Sequence, residues 1–283
     1  MNSYSPKEYW TDLAERYSHE DGNAFAPVLH PGAPDWFNLC VHELQERAWR
    51  RALSLCTLPK GASVLDVGCG TGRWVRRYAQ DGYSPVGLDG SLSMLKRASE
   101  LRALAPLLAA QLQSLPFRDG AFDCAQAITV IQHIPALEQQ QALEELVRVI
   151  KPGGYLILLE LIRGQAAHVV SHGPADWIDR VRICGPELIS WFGQEFLLLD
   201  RIFSGAVSFS KGMLVGSHAD SLSLPGVPQT RTKKERLTRR LYWMVRRIAV
   251  GLSTWVEPLA GELCPAEWAT HGVFVFRKPL ARP

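Results

Sequence analysis

The sequence lacks the features that mark secreted, membrane-spanning and fibrous proteins. Its six cysteines are scattered and form no CxxC pair, so we expect reduced thiols and neither a disulfide framework nor a metal site. No apolar run approaches the roughly 20 residues that span a bilayer, and the first ten residues hold no apolar core of a secretory signal. Repeats and low-complexity tracts are also missing. These absences predict a cytoplasmic globular protein.

Positive and negative charges nearly balance over the chain, except in one basic segment. The chain of 283 residues has a net charge of +3. Residues 229–250 carry eight Lys or Arg and a single Glu, a local net charge of +7, so the rest of the chain is mildly acidic. A nucleic-acid-binding protein combines basic residues with a recognition fold. One basic segment alone leads us to predict no nucleic-acid partner.

The spacing of apolar residues changes near residue 60. Before it, the pattern predicts an N-terminal helical cover over residues 1–60. After it, short apolar strands alternate with helices, which is typical of βαβ units. The predicted fold is an α/β domain with a doubly wound, mostly parallel, seven-stranded sheet. The predicted strands are 63–67, 85–88, 107–112, 122–129, 154–161, 196–203 and 272–277.

A long stretch separates the last two predicted strands. A hairpin needs only a few residues, so we predict an insertion over 204–270, before the last strand. The sheet domain is then formed by residues 61–203 and 271–283. A further helix is predicted to begin at residues 187–191, after Gly185-Pro186.

A cluster of glycines follows the first predicted strand. Gly68, Gly70 and Gly72 let the backbone turn sharply and let a ligand approach it, and the next helix offers unpaired N–H groups. Asp89 ends the second predicted strand, about 20 residues later, where a carboxylate usually accepts hydrogen bonds from ribose hydroxyls. The pattern indicates a nucleoside-containing ligand and leaves NAD and S-adenosylmethionine open.

Five sequence blocks then follow one another in order. They are VLDVGCGTG (64–72), GLDGS (87–91), LPFRDGAFD (115–123), TVIQHI (129–134) and RVIKPGGYLILLE (148–160). Together, over about residues 60–203 and 272–277, they resemble class I (seven-stranded, Rossmann-like) S-adenosylmethionine-dependent methyltransferases. The glycines run G-x-G-x-G, unlike the dinucleotide fingerprint, so NAD is a distant alternative. The resemblance implies S-adenosylmethionine as the cofactor and methyl transfer as the activity.

The resemblance also implies roles for individual residues. The first block would hold the methionine end of the cofactor, Asp89 the ribose hydroxyls, and Thr129 would lie beside the sulfonium. Position 111 usually carries an acid that contacts adenine, and Gln111 keeps a hydrogen-bond acceptor there without the charge. An N-terminal tyrosine, Tyr17 or Tyr9, would bond the cofactor carboxylate. The predicted cofactor-binding set is Asp66, Gly68, Cys69, Gly70, Gly72, Asp89, Gly90, Gln111, Leu112, Thr129 and Tyr17.

Two residues after the fourth predicted strand are candidates for catalysis. An imidazole suits removal of a hydroxyl proton at neutral pH, so His133 is a candidate base, with a structural role against the cofactor pocket as the alternative. Gln132 is a candidate for orienting the acceptor, or else an exposed residue at the start of a helix. We therefore predict O-methylation of a small acceptor, a natural product or a sugar-like hydroxyl. C- or N-methylation, and a non-catalytic, membrane-associated cofactor-binding module, are the alternatives.

The basic segment predicts an amphipathic helix within the insertion. Six apolar residues fall within about 80° of one another at 100° per residue: Leu237, Leu241, Met244, Ile248, Leu252 and Trp255. Three interpretations are open. The helix is a lid packed on the sheet domain with its arginines in solvent, or part of an acceptor site for an anionic or amphiphilic substrate, or a device for docking on an anionic membrane. We expect the insertion to cover the acceptor site, and membrane contact is the least favoured of the three.

Overall fold

The structure is a computed structural model that describes residues 5–16, 28–30, 33–164, 169–196, 202 and 233–280. Its centre is a seven-stranded sheet of order β3-β2-β1-β4-β5-β7-β6. Strands β1 to β5 run parallel, and β7 runs antiparallel to β5 and β6. The strands are β1 (Ser63–Val67), β2 (Ser84–Asp89), β3 (Leu107–Ala109), β4 (Phe122–Ile128), β5 (Ile150–Leu161), β6 (Glu187–Gln194) and β7 (His271–Arg277). The predicted fold class is confirmed.

Helices flank the sheet on both faces. In the described parts of the chain they are α1 (Pro6–Arg16), α2 (Asp35–Ser54), α3 (Arg73–Gln80), α4 (Leu92–Glu100), α5 (Gln139–Val149), α6 (Pro174–Ile183) and α7 (Lys233–Leu263). Short 3-10 turns lie at Ile131–His133 and Ala266–Trp268. Because strands β1 to β5 run parallel, their carboxyl ends meet at one edge of the sheet.

Successive residues of each strand enter two different buried layers, as the pleat requires. Leu65 packs in the layer that contains Trp177 of α6 and the apolar side of α5. Val64, its neighbour, packs in the layer of Trp49 from α2 and Tyr78 from α3. Burial on both faces explains why the central strands read as continuous apolar runs.

The prediction of a helix at residues 187–191 was wrong. Residues Glu187–Gln194 form β6, an edge strand in which Leu188 lies opposite Phe276 and Phe192 opposite Val273. Gly185-Pro186 marks the end of α6, since a residue before proline is biased away from helix. Aromatic and β-branched side chains in 187–194 fit a half-buried pleated surface. The predicted strand 196–203 is displaced accordingly: Phe196 lies beyond β6, and residues 197–201 and 203 lie outside the described residues.

Helix α7 buries a different face from the one its sequence pattern predicts. It packs against α2 and β6 and turns Val250, Ser253 and Ala260 inward. Four residues of the predicted apolar stripe are instead exposed, by 54 to 83% of their surface: Met244, Ile248, Leu252 and Trp255. Arg246 meanwhile lies over the ring of Phe37 at 4.5 Å. Arg246 thus packs on an aromatic ring whereas Arg247 is exposed, and the interpretation of α7 as a lid stays a prediction.

Candidate active site

A cavity lies at the carboxyl ends of β1, β2 and β4. Most of the predicted cofactor-binding residues line it: Asp66, Gly68, Cys69, Gly70, Asp89, Gly90, Gln111, Leu112 and Thr129. Gly72 does not, because it caps the amino end of α3. Tyr17 lies outside the described residues, and Tyr9 is not among the described lining residues.

The turn after β1 needs glycine for two reasons. Gly68 and Gly70 have φ angles of +60° and +53°, a left-handed conformation that other residues rarely adopt. A Cβ at Gly68 would lie 2.5 Å from the side chain of Val130, and one at Gly70 would lie 2.7 Å from Val28. Both contacts are far closer than atoms tolerate. The glycine pattern therefore reflects backbone conformation and space together.

Asp66 is the most constrained charge at the cavity. Its Oδ1 accepts a hydrogen bond of 2.8 Å from Nε2 of Gln126, whose own Oε1 accepts from the Tyr78 hydroxyl at 2.7 Å and from Trp49 Nε1 at 3.0 Å. Within the described chain, Oδ2 of Asp66 is buried without a hydrogen-bond partner. Burial raises the pKa of Asp66 to about 7. One carboxylate oxygen is thus fixed, and the other is left for a ligand.

Asp89 is held by backbone at the end of β2. Its Oδ2 accepts from the N–H of Gly70 at 2.9 Å, and its Oδ1 accepts from the N–H of Ser91 at 2.8 Å. The first contact ties the glycine turn to the next strand. Each oxygen keeps a further lone pair, and the residue lines the cavity. The carboxylate is therefore oriented before any ligand binds.

Arg73 is a site residue that the sequence analysis missed. It opens α3 directly after the glycine turn, lines the cavity and is only 8% exposed. Its Nη1 lies 3.3 Å from Nδ1 of His42, and its guanidinium lies 4.8 Å from the centre of the Trp74 ring. Burial lowers the pKa of Arg73 to about 10, and Asp66 acts in the opposite direction. The guanidinium stays cationic at neutral pH. The sequence signal that could have identified Arg73 as a site residue is its position directly after Gly72.

Thr129 bends the chain sharply after β4. It has a φ angle of +57°, which is strained for a β-branched residue. Its N–H donates to the carbonyl of Leu159 at 2.6 Å, and its Oγ1 donates to the carbonyl of Ile128 at 2.7 Å. These bonds hold a conformation that costs free energy, and Thr129 lines the cavity.

Glu160 fixes the turn that follows Thr129. This wholly buried residue of β5 accepts from the N–H groups of Val130 at 3.1 Å and Ile131 at 2.9 Å through Oε1, and from Gln132 at 3.2 Å through Oε2. Burial raises the pKa of Glu160 to about 8, and the three N–H donors act against that shift. The carboxylate thus satisfies the amide groups at the start of the 3-10 turn that carries His133.

The two predicted catalytic residues occupy different environments. His133 lines the cavity, with its ring edge-to-face to Trp10 of α1 at a centroid distance of 5.0 Å. Gln132 is buried, and its Oε1 accepts from the N–H of Leu161 at 2.7 Å. Gln132 is not among the described lining residues. His133 therefore lies at the cavity, whereas Gln132 links the 3-10 turn to β5.

Helix α1 forms one wall of the cavity. Pro6, Lys7 and Trp10 line it, and Thr11 Oγ1 lies 3.0 Å from Ser91 Oγ at the start of α4. The described residues of α2 and α7 contribute nothing to the lining. Of the two helices in the predicted N-terminal cover, α1 lies at the cavity and α2 packs against the sheet.

The described residues contain no group of three His, Cys, Asp or Glu side chains placed to hold a metal ion. His172 lies 2.7 Å from Gln139 through its Nε2, and burial lowers the pKa of its imidazole. His42 is half-buried, and this burial lowers the pKa of its imidazole to about 4.

The sheet of this order, with a glycine turn after β1 and a carboxylate after β2, has the α/β fold of class I S-adenosylmethionine-dependent methyltransferases. Residues 65–158 match the family described as "Methyltransferase domain". The chain therefore carries a methyltransferase domain, and S-adenosylmethionine is the cofactor that this domain implies.

Curated relatives are similar over part of their length. Demethylmenaquinone methyltransferase of Paenarthrobacter aurescens is 37% identical over 117 residues, which cover 41% of this chain and 46% of that protein. Malonyl-[acyl-carrier protein] O-methyltransferase of Pectobacterium atrosepticum is 34% identical over 127 residues, which cover 45% of this chain and 49% of that protein. The chain thus spans about half the length of these relatives.

Solved structures share the fold over more of the chain. The [4+2]-cyclase SpnF has a TM-score of 0.54 at 20% identity and covers 83% of this chain and 81% of its own. The PH0226 protein from Pyrococcus horikoshii has a TM-score of 0.50 at 19% identity, over 63% of this chain and 92% of its own. At this identity the likeness concerns the fold alone. Since one neighbour is a cyclase, the reaction must be argued from the site.

Proposed function

We propose that this protein transfers a methyl group from S-adenosylmethionine to a hydroxyl oxygen of a small molecule, such as a natural product or a sugar. The observation that carries the proposal is the continuity of the cavity. It runs from the glycine turn and Asp89 to His133, the candidate base, at the end of β4. The residues proposed to bind the cofactor and the candidate base therefore line one cavity.

The residues present fit the cofactor. The unpartnered Oδ2 of Asp66 suits an ammonium group, and the buried guanidinium of Arg73 suits a carboxylate. Asp89, already oriented by two N–H groups, suits a ribose diol. Gln111 lines the cavity beside Gly90 and offers both an acceptor and a donor to adenine. When bound, S-adenosylmethionine supplies an activated, electrophilic methyl group.

His133 would accept the proton of the acceptor hydroxyl. The 3-10 turn holds its backbone, since the His133 N–H donates to the carbonyl of Val130 at 3.0 Å and Glu160 fixes the first amides of that turn. Trp10 packs against the imidazole edge and limits its rotation. A general base in a fixed position typically accelerates proton transfer by a factor of about 10²–10⁴.

The relatives support a small acceptor and allow a second candidate. One is named as an O-methyltransferase of a malonyl group on a carrier protein, and the other is named for demethylmenaquinone. Methyl transfer to carbon depends on alignment more than on a base. C- or N-methylation of a small or amphiphilic metabolite is therefore the alternative, and the contribution of His133 separates the two.

Calorimetric titration with S-adenosylhomocysteine tests the cofactor site. Asp89→Ala should weaken binding by about 1.5–3 kcal/mol, the range for hydrogen bonds to a charged group. Asp179→Ala is the matched control, because the Asp179 side chain is 72% exposed on α6 and lies outside the cavity lining. Equal affinity in the wild type and Asp89→Ala would refute the ribose role.

Transfer of labelled methyl groups to a panel of phenols, hydroxy acids, hydroquinones and sugars tests the base. His133→Ala should lower the transfer rate by about 10²–10⁴ while leaving affinity for S-adenosylhomocysteine unchanged. His133→Gln, which keeps hydrogen bonding without basicity, should behave like His133→Ala. Retention of most of the rate in both variants would support methylation at carbon or nitrogen instead.

A further inference from the structure

Helix α7 presents a continuous apolar stripe to solvent. Its exposed residues follow one another at spacings of three or four along the helix: Met244, Ile248, Leu252, Trp255, Leu259 and Leu263. Their exposed fractions run from 54% for Leu252 to 83% for Trp255. Residues at this spacing lie on one side of a helix. A contiguous apolar face of this kind is unusual on the surface of a monomer and marks a contact with something else.

Contacts on the other side fix the orientation of α7. Val250 packs in a cluster with Phe37 and Val41 of α2, and the Arg246 guanidinium lies over the rings of Phe37 at 4.5 Å and Trp243 at 5.1 Å. Further along, Glu257 Oε1 accepts a hydrogen bond of 2.7 Å from the N–H of Phe196. Because this side is committed to the body of the protein, the apolar stripe faces outward.

Charge is distributed along the same helix. Residues 229–250 carry eight Lys or Arg against a single Glu, a net charge of +7, and Lys233, Lys234, Arg236, Arg239 and Arg240 all belong to the first turns of α7. A basic helix with an apolar side and an exposed tryptophan has the composition of helices that lie in the plane of a bilayer interface. Among the described residues no helix is long and apolar enough to cross a membrane.

We propose that α7 docks this protein on the surface of an anionic lipid bilayer. Apolar side chains from Met244 to Leu263 would enter the boundary between headgroups and acyl chains, and the net charge of +7 over residues 229–250 would favour a bilayer with anionic headgroups. A second copy of the chain is a poorer occupant, because it would cover the apolar stripe but would bring no charge of opposite sign to the net +7 of residues 229–250. An anionic bilayer satisfies both the apolar and the cationic character. This inference does not depend on the proposed methyl transfer.

Co-sedimentation of the full chain with vesicles tests the proposal. Wild-type protein should pellet with phosphatidylcholine vesicles containing a quarter phosphatidylglycerol, bind pure phosphatidylcholine far more weakly, and be released by raised salt. The triple variant Ile248→Glu, Leu252→Glu, Trp255→Glu should lose binding by roughly tenfold or more. Lys233→Gln with Lys234→Gln should lose it several-fold on anionic vesicles only.

Leu137→Glu is the matched control, since Leu137 is 97% exposed before α5 and far along the chain from α7. It should bind vesicles like the wild type. Affinity for S-adenosylhomocysteine and the circular dichroism spectrum show that each variant is folded. The proposal is overturned if wild-type protein stays in the supernatant, or if the triple variant pellets as well as Leu137→Glu. The stripe would be assigned to a second copy if the wild type and Leu137→Glu were dimers in sedimentation equilibrium, the triple variant were a monomer, and none of the three bound vesicles.

Discussion

The cavity at the carboxyl ends of the strands and helix α7 differ in the groups that they offer to a partner. The cavity offers buried, oriented polar groups, and α7 offers exposed apolar side chains. Around the cavity, partners orient buried carboxyl groups: Gln126 donates to Oδ1 of Asp66 and three N–H groups donate to Glu160, while Oδ2 of Asp66 has no partner in the described chain. Helix α7 turns Ser253 inward and leaves Trp255 exposed. A buried polar network is costly when incomplete, whereas an exposed apolar face gains free energy when something covers it. The two regions are thus specified for different kinds of partner.

The strongest test of this contrast compares two neighbouring positions of α7. Val250 is 1% exposed, and Ile248, two residues earlier, is 62% exposed. Val250→Asp should destabilise the fold by about 3–5 kcal/mol, because it removes a buried apolar side chain and buries a charge in the cluster of Phe37 and Val41. Ile248→Asp should change the free energy of unfolding by no more than about 0.5 kcal/mol. Urea denaturation measures both; similar losses in the two variants would mean that the stripe is packed after all.

A second test compares two glycines, one from each region. Gly68→Ala adds a Cβ that would meet Val130 at 2.5 Å, on a backbone with a φ angle of +60°. Strain and overlap together should cost about 2–4 kcal/mol and abolish measurable binding of S-adenosylhomocysteine. Gly251→Ala in α7, where a Cβ would meet nothing within 4 Å, should stabilise the protein by about 0.5–1 kcal/mol. Calorimetry on both variants checks this, and intact ligand binding by Gly68→Ala would remove the steric account of the turn.

The contrast also explains what could be predicted from the sequence. The glycine turn and Asp89 were predictable because they depend on local backbone demands and on the order of strands β1 and β2. Gln126 and Glu160 were not, since their partners lie 60 and about 30 residues away along the chain. No local pattern encodes such a pairing. Arg73 stood next to the glycine turn, but only the folded structure shows that its guanidinium is buried at the cavity.

Helix α7 shows where a periodic pattern is ambiguous. The spacing correctly indicated a helix with one apolar side, yet it could not say which side faces the body of the protein. The inward side is formed by Trp243, Val250 and Ala260, with Arg246 stacked on aromatic rings. A similar ambiguity affects β6. The pattern over residues 187–194 indicates a helix start, whereas these residues form an edge strand that pairs with β7. Because β7 comes about 80 residues later, no local pattern shows this pairing.

The smallest expected effect concerns pH, and it would show whether the unpartnered oxygen at the cavity binds a cation. Burial raises the pKa of Asp66 from its ordinary value of 3.8 to about 7. In the ligand-free chain, the stabilisation by this group is therefore fully present below pH 3.8 and is lost as the pH rises through 7. A bound ammonium group reverses the preference, because it favours the ionised carboxylate.

Affinity for S-adenosylhomocysteine should consequently be constant above about pH 7.5 and should fall as the pH drops below 7, by at most about tenfold, or 1.4 kcal/mol, per unit. Asp66→Asn should bind more weakly at pH 8 and lose most of this dependence. Asp119→Asn, at a carboxylate whose side chain is 81% exposed, should keep the wild-type profile. Calorimetry between pH 5.5 and 8.5 in buffers of different ionisation enthalpy would also count the proton released by the wild type. A flat profile in the wild type would mean that Oδ2 of Asp66 does not bind the ammonium group. The buried oxygen at the cavity would then lack a partner in the complex, just as the apolar stripe of α7 lacks one in the isolated chain.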